Sequence, residues 1–168
     1  MGTSFDLLAD LADAEFDGES YNGKSLMATL SELDAEAAAA SSDYEGYSVW
    51  SVALHLAYCK WIVAKALMDE DGRSRLGPYP YPAGNGGFAE APERRAEAWV
   101  GLLAYLRAVH GEAIGAMREC GEKRFAHELP EWGIPVGKAA VWLCSHDSYH
   151  TAQIRNMGVP AYKSKRIY

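Results

Sequence analysis

The sequence has 168 residues, of which 49% are hydrophobic, and a formal net charge of −7. This length suits one domain with a substantial core, so we predict a single domain over residues 1–168. The negative charge repels phosphate backbones and anionic headgroups, and only the tail Lys163-Ser164-Lys165-Arg166 clusters basic residues, so we expect neither nucleic acid nor membrane partners. With no leader-like segment and no apolar run of spanning length, we expect a cytoplasmic location.

The cysteines indicate a reducing environment. Cys59, Cys120 and Cys144 are odd in number, widely spaced and free of any C-x-x-C pair. We therefore expect free thiols and no disulfide framework.

Apolar residues recur at helical spacing almost throughout, which predicts an all-α fold. The first helix is predicted over residues 4–16, and Asp17-Gly18 ends it. A short helix is expected over residues 23–33, and a long one over residues 49–68 with Ser48 as its N-cap. The predicted inner face of the first helix consists of Phe5, Leu8, Leu11 and Ala12.

Residues 69–90 are rich in glycine and proline and form a connection much longer than an antiparallel helix pair needs. Such a connection can cross the whole bundle and join parallel helices. The third long helix is predicted from Pro92 and Glu93 to about Glu119, and the last from Pro135 to the stop at Gly158. The sequence therefore predicts a four-helix bundle.

Two histidines near the end of the chain stand where core residues are expected. His146 and His150 are four residues apart, so a helix places both on one face, close enough to share a metal ion. They continue an inward stripe formed by Val136, Ala139, Leu143, Ile154 and Met157. His55, on the inner face of the second long helix, is the best candidate for a third ligand. The alternative is a set of interior histidines hydrogen-bonded to tyrosine, carboxylate or water.

Three blocks of the sequence resemble the DinB/YfiT-like metalloenzyme family over nearly the whole chain. They are Tyr21-Asn22-Gly23-Lys24-Ser25-Leu26 with Thr29-Leu30, Tyr47-Ser48-Val49-Trp50 leading to His55, and His146-Asp147-Ser148-Tyr149-His150 with Gln153-Ile154. The last block, with its H-x-x-Y-H-x-x-Q order, is the most specific.

The resemblance implies a divalent metal ion held by His55, His146 and His150, with zinc or nickel expected and iron as a further candidate. It also implies an up-down-down-up bundle and a homodimer. Because relatives include thiol-dependent transferases, it implies an enzyme that activates water or a low-molecular-weight thiol toward an electrophile. The alternative is a metal-binding or stress-induced dimeric bundle without turnover.

Other residues near the predicted ligands have two interpretations each. Cys59 lies one turn after His55 but is more simply a buried inert thiol, and His110 suits a fourth ligand or, preferably, a packed histidine. Tyr58, Tyr149 and Gln153 are candidates for orienting an imidazole or a bound water.

The segment Pro78–Pro82 is either a lid over the metal or, preferably, a strap across the bundle. The tryptophans are expected in the core or in a dimer interface, and they are Trp50, Trp61, Trp99, Trp132 and Trp142.

Overall fold

The computed structural model describes residues 4–41, 46–91, 93–120 and 122–163. The predicted all-α class is confirmed, since the only strands in this part of the chain are two residues long and form one antiparallel pair. No described helix is long and apolar enough to cross a membrane. The elements are α1 (Ser4–Asp17), α2 (Leu26–Leu30), α3 (Ala35–Ala39), α4 (Val49–Leu67), α5 (Glu70–Leu76), α6 (Ala96–Glu119), α7 (Glu122–Phe125), β1 (Glu128–Leu129), β2 (Ile134–Pro135), α8 (Val136–Asn156) and α9 (Pro160–Lys163).

The four long helices pack against one another. Helix α4 contacts α6 and α8, and α1 contacts α8 and α6. The Trp50 and Trp99 rings meet near the starts of α4 and α6, with their centroids 5.0 Å apart. Ion pairs join α6 to α1, from Arg107 to Asp17 at 3.0 Å and from Arg118 to Asp10 at 2.8 Å.

Most predicted helix boundaries agree with the structure. Helix α4 starts after Ser48, whose Oγ accepts a hydrogen bond from the Ser51 backbone N–H at 3.1 Å, as an N-cap does. Helix α8 follows Pro135 directly. Helix α6 begins at Ala96, later than expected, and the predicted first-turn residue Pro92 lies outside the described residues.

The inner face of α1 agrees with the prediction at Leu8 and Ala12 and differs from it at Leu11. Ala9, Ala12 and Phe16 are buried, whereas Leu11 is 38% exposed. The buried stripe includes Glu15, which is 3% exposed and hydrogen-bonded to serine hydroxyls. The buried stripe runs through positions 9, 12 and 16, and Leu11 lies beside it on the side that faces solvent.

The connection between α4 and α6 is partly helical, because α5 lies within the predicted loop. Asp69 caps α5 by accepting from the Gly72 backbone N–H at 2.8 Å. Further along, the Tyr79 hydroxyl donates to the Leu54 carbonyl at 2.9 Å, and the Tyr79 ring packs edge-on against Tyr105 of α6. The Pro78–Pro82 segment therefore straps across α4 and α6.

Candidate metal centre

Helices α4 and α8 bring together the three histidines that the sequence singled out. One ring nitrogen from each of His55, His146 and His150 lies within 4.8 Å of the others. The Nε2 atom of His146 is 3.2 Å from that of His55 and 2.9 Å from that of His150. When histidine, cysteine and carboxylate side chains of the described residues are compared, these three histidines form the group whose ligand atoms are close enough to hold a metal ion.

Hydrogen bonds to the opposite ring nitrogens orient two of the imidazoles. His55 Nδ1–H donates to the Gly86 carbonyl at 2.6 Å, and His150 Nδ1–H donates to the Gln153 Oε1 at 2.6 Å. Because Nδ1 carries the proton in both neutral rings, Nε2 presents a lone pair to the cluster. Gln153 thus has the orienting role that the sequence suggested.

The three neutral imidazoles do not carry enough N–H donors to hydrogen-bond every close N···N contact in the cluster. A neutral His146 with its proton on Nε2 donates to only one neighbour, and the other N···N contact then joins two lone pairs. With the proton on Nδ1, three lone pairs face one another, and His146 Nδ1 is buried with no hydrogen-bond partner among the described residues. A cation between the three nitrogens removes this repulsion, so the donor set fits a divalent metal ion.

The surroundings keep the three imidazoles neutral. Burial lowers the pKa of His55, and burial together with the nearby His150, His55 and Lys60 lowers the pKa of His146. Burial lowers the pKa of His150 to about 4, although its bond to Gln153 acts in the opposite direction. Neutral imidazole is the form that binds metals, so the ligands need not lose a proton at pH 7.

Each imidazole contacts an aromatic ring. Phe88 stacks on His55 with centroids 3.9 Å apart, Trp142 lies 3.8 Å from His146, and Tyr149 meets His150 edge-on at 4.9 Å. His146 and His150 are each 4% exposed, whereas His55 is only partly buried. Access from solvent is therefore greatest beside His55.

The end of the connection between α4 and α6, rather than Pro78–Pro82, borders the cluster. Gly86 holds His55, and Gly87 packs so closely that a Cβ atom there would lie 2.9 Å from Tyr58 Cδ1 and 3.1 Å from His55 Cα. Gly87 also has a φ of +89°, which favours glycine. Two features, close approach and positive φ, thus require glycine at the point where the connection meets α4.

A buried ion pair beside the histidines was not predicted. Lys60 Nζ lies 2.7 Å from Asp147 Oδ2, and both side chains are 1% exposed. Burial raises the pKa of Asp147 and the Lys60 ammonium opposes this effect, while Asp147 Oδ1 has no hydrogen-bond partner among the described residues. The sequence did contain a signal for the burial of Lys60, because this lysine occupies a position in the apolar stripe of α4 that Val49, Leu56 and Val63 also follow.

Two further candidates are not part of the three-histidine group among the described residues. The Cys59 Sγ lies 3.7 Å from both ring nitrogens of His55, but burial raises the pKa of this thiol to about 12. His110 lies apart from the cluster, donates from Nε2 to Asp13 Oδ1 at 2.9 Å and stacks on Phe16 with centroids 3.7 Å apart. Cys59, Cys120 and Cys144 are free thiols, as predicted.

The molecule is thus an all-helical protein with a buried three-histidine cluster between two long helices. The sequence profile of the DinB superfamily matches residues 20–154, a span that includes all three histidines. The chain therefore belongs to the DinB superfamily. Comparison with curated proteins and with solved structures gives no match.

Proposed function

We propose that His55, His146 and His150 bind one divalent metal ion through their Nε2 atoms. The observation that carries this proposal is the convergence of three Nε2 atoms while the Nδ1 protons of two rings are bonded elsewhere. Imidazole nitrogen suits zinc and nickel, which we propose as the physiological ions, with iron as a third candidate.

We further propose that the site is catalytic and acts on water or a low-molecular-weight thiol. A bound divalent ion lowers the pKa of a coordinated water or thiol, which supplies a nucleophile at neutral pH. The protein contributes by orienting His55 through the Gly86 carbonyl and His150 through the Gln153 amide. The partly open side at His55 gives substrate a way in.

The reaction we favour joins a thiol to an electrophile such as an alkyl chloride. One S–C bond forms, one C–Cl bond breaks, and the thiol proton leaves with chloride as HCl. The thiol of Cys59 is not the nucleophile in this scheme, because its side chain is buried.

The second candidate function is metal binding without turnover, in a stress-induced or purely structural dimer. It draws support from the enclosure of the cluster, since two of the three histidines are only 4% exposed and all three rings contact aromatic side chains. We propose a homodimer in both cases, with the exposed apolar side chains of Leu7 and Val141 as part of its interface.

We propose the up-down-down-up topology for the four long helices. Arg107 meets Asp17 and Arg118 meets Asp10, a pairing order that fits opposite directions for α1 and α6. The contact between the Trp50 and Trp99 rings near both helix starts fits parallel α4 and α6.

A combined metal and activity assay tests the proposal. We expect purified protein, reconstituted with zinc or nickel and desalted, to hold one ion per chain and to lose it in His146→Ala. His127→Ala, which removes an exposed histidine, is the matched control and retains the ion. Loaded protein is then incubated with bacterial thiols and a chlorinated electrophile. If no conjugate forms above the His146→Ala background, the proposed transferase activity is refuted, whereas the proposed metal binding is unaffected.

A further inference from the structure

A polar cavity lies on another side of the ligand helix. It has a volume of about 610 Å³, is partly open to solvent and is bordered by the end of α1, the loop that follows it and α8. This volume is typical of sites for small molecules. The lining residues that matter here are Glu15, Lys24, Ser148, Tyr149, Thr151 and Arg155.

Glu15 places a fixed negative charge in the wall of this cavity. Its Oε2 accepts from Ser148 Oγ at 2.5 Å and from Ser20 Oγ at 2.9 Å, and its Oε1 accepts from the Tyr21 N–H at 3.0 Å. Although burial acts in the opposite direction, these hydrogen bonds hold the pKa of Glu15 below its usual value. The carboxylate is therefore ionised and held in one orientation at neutral pH.

Hydrogen-bond donors without acceptors lie in the wall formed by α8. Thr151 is 7% exposed, and its Oγ1 has no hydrogen-bond partner among the described residues. The buried Nη1 of Arg155, one turn further along the helix, also lacks an acceptor in the described chain. Leaving such buried donors unpaired is unfavourable, so a ligand with acceptor oxygens is favoured here.

The charges of the cavity select the kind of ligand. Of the charged residues that line the cavity, Lys24 already pairs with Glu32. The Glu15 carboxylate and the Arg155 guanidinium then remain as one negative and one positive charge for a ligand. A simple anion drawn to Arg155 would be repelled by Glu15. A molecule that carries both a carboxylate and an ammonium group matches both charges.

We propose that this cavity binds a small amino carboxylate. Its carboxylate accepts hydrogen bonds from Arg155 and Thr151, and its ammonium group faces Glu15. The site is separate from the histidine cluster, because Ser148, Thr151 and Arg155 form a different stripe of α8 from His146 and His150. Tyr149 touches both, lining the cavity and meeting the His150 ring at 4.9 Å.

Isothermal titration of the full chain tests this proposal with L-serine, acetate and ethylammonium as probes. We expect saturable binding of L-serine, at least tenfold weaker binding of acetate, and weaker binding still of ethylammonium. Arg155→Met lowers L-serine affinity at least tenfold, in line with the loss of a charge-assisted hydrogen bond. Arg107→Met is the matched control, because Arg107 is an exposed arginine of α6 that pairs with Asp17 of α1, and it leaves the affinity unchanged.

Further variants separate binding from folding and from the metal. Thr151→Val keeps the side-chain shape and weakens L-serine binding without lowering the thermal midpoint by more than a few degrees. Protein treated with EDTA binds L-serine as wild type does, so failure of the metal proposal does not affect this test. The proposal is overturned if no saturable L-serine binding occurs, if acetate binds as tightly as L-serine, or if folded Arg155→Met and Thr151→Val both bind normally.

Discussion

The buried pair between Lys60 and Asp147 leads to a strong prediction about stability. Lys60→Met removes the ammonium group that lies 2.7 Å from Asp147 Oδ2. In the wild-type protein, Asp147 Oδ1 already lacks a hydrogen-bond partner among the described residues. In the variant, neither oxygen of the Asp147 carboxylate has a partner among the described residues, although the side chain is only 1% exposed. Breaking such a buried pair from one side costs about 3–5 kcal/mol.

The double variant Lys60→Met/Asp147→Leu removes both charges and fills the space with apolar groups. Because the desolvation cost disappears along with the attraction, we expect its stability to lie within about 1 kcal/mol of wild type or above it. Urea unfolding followed by circular dichroism gives the free energies and hence the coupling between the two sites.

Lys65→Met is the control for this experiment, since Lys65 is an exposed lysine on the same helix that lies over the Trp61 ring. Its loss is expected to cost less than about 1 kcal/mol. The reasoning is refuted if Lys60→Met is as mild as Lys65→Met, or if the double variant is less stable than Lys60→Met alone and Asp147→Leu alone.

Three further predictions concern the cluster and its neighbours. Gln153→Ala removes the acceptor that orients His150 and is expected to weaken zinc binding about 10- to 100-fold in a competitive chelator titration. Gly87→Ala forces a Cβ against Tyr58 and lowers stability by about 1–3 kcal/mol in urea unfolding. Burial and the Lys60 charge lower the pKa of His110 to about 2. As the pH falls below 6.5, His110 is therefore protonated in the unfolded chain before it is protonated in the folded one. Between pH 7 and pH 5 the free energy of unfolding of the wild type decreases by up to about 2 kcal/mol more than that of His110→Gln.

The histidine cluster was predictable because local spacing carries most of its information. His146 and His150 are one helical turn apart and continue an apolar stripe, so any helix over this segment places them together. His55 required the further step of pairing α4 with α8, which its place on the inner face of the second long helix favoured and the family resemblance supported. The structure joins the three as expected.

The parts that were missed depend on contacts between distant segments. Lys60 follows the apolar spacing of α4, but nothing local indicates that its partner is Asp147, 87 residues away. Gly86 approaches His55 only after the crossover connection has packed on α4, so the glycine-rich sequence alone does not reveal this contact. Leu11 turned outward for a similar reason, because packing selected a neighbouring stripe of α1.

The central claim is that three imidazoles and no thiol bind a metal ion in this protein. X-ray absorption at the zinc edge of the zinc-loaded full chain tests it directly. We predict a coordination shell of nitrogen and oxygen atoms at about 2.0–2.1 Å, with multiple scattering from three imidazoles that falls to two in His55→Ala. A sulfur shell at about 2.3 Å, which would implicate Cys59, or a spectrum unchanged by His55→Ala would contradict the assignment.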